Sequence, residues 1–126
     1  MSGPRVLVVD DSAEFRRYLQ LLLARAGFTT DAAGDGEEAV RRAREEPPAV
    51  IVSDLGLPGI DGVETLRRLR EVCGARTFLV SGALLAPAVA AQADAVMEKP
   101  FVAEEFIARV RELAARAPHA SRPAEA

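Results

Sequence analysis

Five polar residues with useful side-chain chemistry each follow a short apolar run of the sequence. Asp10 and Asp11 come after RVLVV, Asp54 after VIVS, Ser81 closes RTFLVS, and Lys99 comes after AVME. Apolar runs of this length are typical of strands that are buried on both faces of a parallel sheet. The carboxyl ends of parallel strands lie at one edge of the sheet, where open α/β folds bind their ligands. We therefore expect these five side chains to meet in one cleft.

The cleft would hold more negative charge than it can keep without help. Three carboxylates repel one another, and at least one would tend to bind a proton unless a cation lies between them. An oxygen-only site with room for water suits Mg²⁺. With the ammonium of Lys99 and the hydroxyl of Ser81, this set could stabilise a phosphoryl group that is transferred to Asp54 as an acyl phosphate. Each motif alone is weak, since an Asp-Asp pair after a strand is more often a turn; the combination is specific.

Lysine occurs once in this chain. Sixteen residues are Lys or Arg, yet Lys99 is the single lysine of the sequence. A lysine retained at one position indicates that a compact ammonium is needed there and a planar guanidinium is not. Chance use of one lysine is the alternative.

The chain alternates between apolar runs and amphipathic helical patterns. This alternation predicts a three-layer α/β domain with a doubly wound parallel sheet and right-handed crossovers. Ser12 and Asp35 are the predicted N-caps of the first two helices, and Gly27 is the predicted stop of the first. The predicted strands are 5–9, 28–33 (weak, near a sheet edge), 50–52 (leading to Ser53 and Asp54), 76–80 and 95–98. The predicted helices run from Ser12 to Gly27, from Asp35 to about 45, from Asp61 to about 72, 83–92 (short), and from 102 to about 117.

Composition limits the class of protein. The chain of 126 residues is long enough for one domain with a real core, and its net charge of -3 gives no case for direct nucleic-acid binding. No apolar stretch approaches the roughly 18 residues that span a bilayer, and the N-terminus lacks a signal-peptide pattern. One cysteine, Cys73, excludes an internal disulfide. These features predict a cytoplasmic protein without a membrane partner.

Four motifs carry a family resemblance: LVVDD, VSDLGLPGIDG, LVSG and EKPF, in this order and with roughly this spacing. Together they resemble a receiver domain of bacterial two-component response regulators, similar to the chemotaxis regulator and apparently single-domain. The resemblance covers about residues 3–117, which leaves 118–126 as an expected disordered tail. It implies a flavodoxin-like five-stranded sheet of strand order 2-1-3-4-5.

The resemblance also implies a role for each polar residue of the cleft. Asp54 matches the phosphoacceptor, Ser81 the switch hydroxyl, and Lys99 the lysine that pairs with a phosphoryl oxygen. The bond between Lys99 and Pro100 is cis in the family.

The metal site follows from the same resemblance. Asp11 matches the direct Mg²⁺ ligand and Asp10 the acid that orients metal-bound water, while Asp54 and the backbone carbonyl of Gly56 complete the protein ligands.

Three departures from the family pattern affect the expected behaviour. Val96 replaces the usual aromatic residue three positions before the lysine, and as a buried valine it could not swing outward with the switch hydroxyl. The segment from Ser81 to Lys99 is about one helical turn shorter than usual, so the fourth helix should be short. Neither Gly56 nor Ala83 has a side chain that could shield the acyl phosphate or position an attacking water. We therefore expect an accessible phospho-site whose lifetime is set mainly by partners, and altered dephosphorylation in Gly56→Asn and Ala83→Glu variants.

The leading hypothesis is a phosphoacceptor signalling switch of a two-component system or phosphorelay. It would take its phosphoryl group from a histidine kinase or phosphotransfer protein, act on an unknown protein target, and catalyse only its own phosphorylation and dephosphorylation. A constitutive, unphosphorylated interaction module is an alternative. An aspartate-dependent phosphohydrolase is less favoured, because Ser12 stands where such enzymes usually have a second acid. The charged face of the first helix is either a kinase-docking surface or an ordinary solvated face; its residues are Glu14, Arg16, Arg17 and Arg25.

Overall fold

The computed structural model describes residues 3–54, 62–82 and 87–116. Five parallel strands form one sheet in the order β2-β1-β3-β4-β5, which confirms the predicted order. The strands are β1 (Arg5–Val9), β2 (Thr29–Ala33), β3 (Val50–Ser53), β4 (Arg76–Ser81) and β5 (Ala95–Glu98). The helices are α1 (Ala13–Arg25), α2 (Gly36–Glu45), α3 (Gly62–Val72), α4 (Pro87–Ala90) and α5 (Ala103–Ala115).

Two hydrophobic cores lie on opposite faces of the sheet. Successive side chains of a strand point to opposite faces, so Val6 and Val8 pack with α1 and α5, whereas Leu7 and Val9 pack with α2 and α3. Burial on both faces explains the uninterrupted apolar stretches within β1, β3 and β4, which are residues 6–9, 50–52 and 78–80. The edge strands β2 and β5 are only partly buried. For β2 this confirms the prediction that the second strand lies near a sheet edge.

Side chains and one glycine fix the ends of the first two helices. The Ser12 hydroxyl accepts the Phe15 N–H at 3.2 Å, and the Asp35 carboxylate accepts the Glu38 N–H at 2.8 Å. Gly27 follows α1 with a φ of 98°, a conformation that favours glycine. These observations confirm both predicted N-caps and the predicted stop of the first helix.

The fourth helix is short in the part of the chain that the structure describes, where α4 has four residues. Several other sequence predictions fall on residues outside the described ranges. They are the metal-ligand carbonyl of Gly56, the start of the third helix at Asp61, the start of the fourth helix at Ala83, and the tail 118–126. The domain bounds 3–117 therefore stay a prediction.

Candidate functional site

The strand registers bring the predicted site residues to one edge of the sheet. Val9 pairs with Ser53, so Asp10 and Asp54 leave neighbouring strands side by side. The Asp54 N–H continues the ladder by donating to the Val9 carbonyl at 3.2 Å. On the other side Ser81 pairs with Glu98, and the Lys99 N–H donates to the Ser81 carbonyl at 2.8 Å.

Lys99 makes the central contacts of this site. Its Nζ lies 3.1 Å from Asp54 Oδ2 and 3.7 Å from Asp10 Oδ2. The Lys99 side chain is 28% exposed and that of Asp54 is 25% exposed, so both groups remain open to an incoming ligand. One ammonium thus faces two carboxylates at a half-buried position, where charge interactions are stronger than in bulk water.

Asp10 is the most buried member of the site, with 4% of its surface exposed. Burial raises the pKa of Asp10 above its ordinary value of 3.8, and the charges of Asp54 and Asp11 raise it further. The Ser12 N–H, which donates to Asp10 Oδ1 at 2.8 Å, and the ammonium of Lys99 act in the opposite direction on this pKa. The site therefore favours a further positive charge beside Asp10.

The remaining predicted site residues are Ser81, Asp11 and Gly56. Ser81 is buried next to Lys99, and Asp11 is exposed beside Asp10. Gly56 lies outside the described residues. The bond between Lys99 and Pro100 is cis, as the family resemblance implied.

The donor set fits Mg²⁺, although the described residues do not form a closed metal cage. Within residues 3–54, 62–82 and 87–116, no three Asp, Glu, His or Cys side chains are arranged to hold a metal ion by themselves. Mg²⁺ keeps several water ligands and is often held by only one or two carboxylates. The carboxylates at this edge supply oxygen donors of the kind that Mg²⁺ prefers.

Two residues were misjudged from the sequence. Val96 was predicted to be buried, but it is 37% exposed, because it points away from the core that its neighbours Ala95 and Met97 contact on edge strand β5. Phe15 was not among the predicted site residues, yet its ring centroid lies 4.1 Å from Lys99 Nζ. The available signal was its place in the first turn of a helix that starts directly after the two aspartates.

The charged face of α1 contains one residue that belongs to the site. Arg16 is half-buried, and its guanidinium donates to the Asp10 carbonyl at 2.7 Å. Glu14, Arg17 and Arg25 are exposed. Arg16 therefore fixes the start of α1 against the end of β1.

The fold and the site define an α/β domain that gathers carboxylates and one ammonium at the carboxyl edge of a doubly wound parallel sheet. The chain belongs to the response regulator receiver domain family, whose model matches residues 6–111. It is therefore a receiver domain of the two-component type. No helix among the described residues has the length and apolar character needed to cross a membrane.

Curated relatives agree with this family. The chain is 38% identical over 126 residues to the transcriptional regulatory protein TrcR of Mycobacterium tuberculosis, covering 96% of this chain and 49% of TrcR. It is 38% identical over 114 residues to the DNA-binding response regulator MtrA of Mycobacterium leprae, covering 85% of this chain and 49% of MtrA. The chain spans about half the length of the curated relatives it matches.

Solved structures show the same fold. The response regulator domain of Thermotoga maritima CheB is 30% identical with a TM-score of 0.82, covering 91% of this chain and 98% of that domain. A CheY-like receiver domain protein from Methanospirillum hungatei has a TM-score of 0.83 at 22% identity, covering 90% of this chain and 94% of that one. The second match is evidence for the fold alone.

Proposed function

We propose that this chain is a phosphoacceptor switch that takes a phosphoryl group onto Asp54 from a histidine kinase or phosphotransfer protein. The observation that carries the proposal is the Lys99 ammonium, 3.1 Å from Asp54 and 3.7 Å from Asp10. The ammonium is in place to balance the charge of phosphoryl oxygens beside Asp54. Preorganised charge of this kind is usually the largest contribution to transfer chemistry.

The transfer would run as an in-line displacement at phosphorus. An oxygen of the Asp54 carboxylate attacks the phosphorus and forms the acyl phosphate bond. The bond between phosphorus and the donor breaks, and its electron pair leaves with the donor. Lys99 moves from Asp54 towards a phosphoryl oxygen, and Asp10 remains as a buried counter-charge.

Mg²⁺ is the proposed cofactor of this step. Asp10, Asp11, Asp54 and the Gly56 carbonyl would hold the ion or its water ligands. When bound, it would supply positive charge to the phosphoryl oxygens.

Ser81 is the proposed switch hydroxyl. It is buried beside the site, and its carbonyl accepts the Lys99 N–H, so the ends of β4 and β5 are linked through the backbone. A change at the phosphoryl group would therefore reach both strand ends together.

The output would be a changed protein-binding surface on a cytoplasmic protein. The net charge of -3 gives no case for direct binding of nucleic acid by this chain.

Intact mass spectrometry tests the proposal. The protein is incubated with Mg²⁺ and acetyl phosphate, and one phosphoryl group should be gained. Asp54→Asn and a metal-free sample should gain none. Asp31→Asn is the matched control, because Asp31 pairs with Arg42 away from the site, and this variant should be labelled normally. Labelling of Asp54→Asn would exclude Asp54 as the acceptor.

A constitutive interaction module is the second candidate, favoured by the short α4 and by the non-aromatic Val96. A folded wild-type protein that binds Mg²⁺ but gains no phosphoryl group would select it. A phosphohydrolase is less favoured, because Ser12, which stands where such enzymes usually have a second acid, serves as the N-cap of α1. Steady release of phosphate from phosphate esters would be required to support that reading.

A further inference from the structure

The Lys99 ammonium lies between two kinds of partner. The carboxylates of Asp54 and Asp10 face it at 3.1 and 3.7 Å, and the ring of Phe15 faces it at 4.1 Å from the ring centroid. A cation within about 6 Å of an aromatic face is attracted by the ring quadrupole. Phe15 therefore contacts Lys99, whose ammonium pairs with the proposed phosphoacceptor Asp54.

The Phe15 ring is held by a row of aromatic contacts that leads into the core. The Phe15 and Phe101 rings form a T-shaped pair with centroids 6.2 Å apart, and Phe101 stacks on Phe106 at 5.2 Å. Phe106 in turn stacks on Phe78 at 5.6 Å, and both of these rings are fully buried. The ring that faces Lys99 is thus connected, through the partly buried Phe101, to rings of the packed core.

The backbone of Phe15 is fixed as well. Its N–H donates to the Ser12 hydroxyl, and the next residue, Arg16, is bonded to the Asp10 carbonyl. The first turn of α1 is therefore tied to the same strand end that carries Asp10. The Phe15 backbone is therefore held close to Asp10, and the Lys99 ammonium contacts the side chains of both residues.

A ring contact would limit the rotamer freedom of a lysine in this setting. The four-carbon stem of lysine has much rotamer freedom, and ion pairs at partly exposed positions hold a side chain only weakly. A ring face attracts the ammonium without neutralising it, so the full charge stays available. A leucine at the same position would fill similar space but would lack the quadrupole.

We propose that Phe15 is a positioning residue for Lys99, which keeps the ammonium where a phosphoryl oxygen would arrive on Asp54. The contact between the ring and the ammonium is a property of the unphosphorylated chain, while its role in phosphoryl transfer rests on the proposed function. One measurement tests the contact and a second tests its effect on phosphoryl uptake.

The first readout uses the single lysine of the chain. A ¹³C-lysine-labelled protein gives NMR signals from Lys99 alone. A ring face displaces nearby protons upfield, so the Lys99 side-chain protons should be displaced in the wild type and in Phe15→Tyr. They should return towards ordinary lysine values in Phe15→Leu. Phe28→Leu is the matched control, since it removes a ring that faces Arg111 at 5.8 Å, and it should leave the Lys99 signals unchanged.

The second readout is the initial rate of phosphoryl uptake from acetyl phosphate. Loss of the ring contact should slow Phe15→Leu by about two- to fivefold, with Phe15→Tyr and Phe28→Leu near the wild-type rate. Phe15→Met is the second ringless variant, for use should Phe15→Leu fail to fold. Unchanged Lys99 signals or an unchanged rate in the ringless variants would overturn the inference. A wild type that takes up no phosphoryl group would overturn the proposed function, and the Lys99 signals would still decide whether the ring contact exists.

Discussion

Lys99 and Asp54 are 45 residues apart in the sequence, and their side chains are joined across an intervening strand. Asp54 follows β3 and Lys99 follows β5, while β4 lies between these strands. Two strand spacings amount to about 10 Å, which the long lysine stem must help to bridge. The geometry of the site therefore depends on where β5 lies, and a lysine suits that distance.

Replacement of Lys99 by Arg should slow phosphoryl uptake by about tenfold or more, although the charge is kept. The space beside Asp54, Asp10 and the Phe15 ring fits a compact ammonium, and a planar guanidinium would displace at least one of these contacts. The initial rate with acetyl phosphate measures the effect. Arg5→Lys, which exchanges the same two side chains in the partly exposed pair with Glu46, is the control. A wild-type rate in Lys99→Arg would show that charge alone is sufficient.

In metal-free buffer, Asp10→Asn should be more stable than the wild type at pH 7. Burial raises the pKa of Asp10, so the folded chain holds this proton more tightly than the unfolded chain, and stability falls as pH rises above 3.8. Asparagine removes the charge but keeps an oxygen for the Ser12 N–H. Urea midpoints measured from pH 3 to pH 7 should diverge as pH rises. Glu112→Gln, in an exposed pair with Arg109 away from the site, should not reproduce this divergence. Equal midpoints for Asp10→Asn and the wild type at pH 7 would contradict the argument.

Mg²⁺ should stabilise the wild type. A ligand that binds only the folded chain adds about 1.4 kcal/mol at ten times its dissociation constant. Asp11→Asn should lose this gain, because it removes a proposed ligand while leaving the buried Asp10 in place. Thermal midpoints with and without Mg²⁺ provide the measurement. The same increase in both proteins would remove Asp11 from the proposed metal site.

Apolar patterning predicted the layers of this fold but not the neighbours of each strand. The central strands β1, β3 and β4 were recognisable because both of their faces are buried. Their order relative to the edge strands depends on contacts between distant parts of the chain, and it came from the family resemblance. Periodicity describes one segment at a time, whereas sheet order is a property of the whole chain.

The site was predictable to the extent that strand ends reveal it. Asp10, Asp54 and Lys99 stand directly after apolar runs, and the structure joins them. Phe15 was missed because an inward aromatic of a helix looks the same whether it contacts leucine or an ammonium. The prediction that Val96 is buried was wrong, because an apolar residue on an edge strand does not indicate which face of the sheet is covered.

Asp94→Ala should destabilise the protein by about 2–3 kcal/mol. Asp94 Oδ2 accepts the N–H of Thr77 at 2.8 Å, and Oδ1 pairs with Arg76 at 3.0 Å. Thr77 is only 1% exposed, so its N–H would lose this acceptor with little access to water. Chemical denaturation measures the loss. Glu112→Ala, which breaks an exposed pair with Arg109, is the control and should cost no more than about 0.5 kcal/mol.

The same Asp94 variant should also slow phosphoryl uptake, because Asp94 holds the start of β5 and Lys99 follows its end. The rate should be measured in conditions where the variant is fully folded. A wild-type rate together with the expected loss of stability would show that Asp94 supports the fold without positioning Lys99.

Gly27→Ala should cost about 1–2 kcal/mol of stability. Gly27 ends α1 with a φ of 98°, and an added Cβ there would meet nothing within 4 Å. The cost would therefore come from backbone conformation and not from a steric clash with neighbours. Gly82→Ala is the matched control, since its added Cβ also meets nothing within 4 Å, while Gly27 is the one glycine with a positive φ among the described residues. Urea midpoints should fall for Gly27→Ala and stay near the wild type for Gly82→Ala. An equal response of the two variants would show that the positive φ is not what makes glycine necessary at the end of α1.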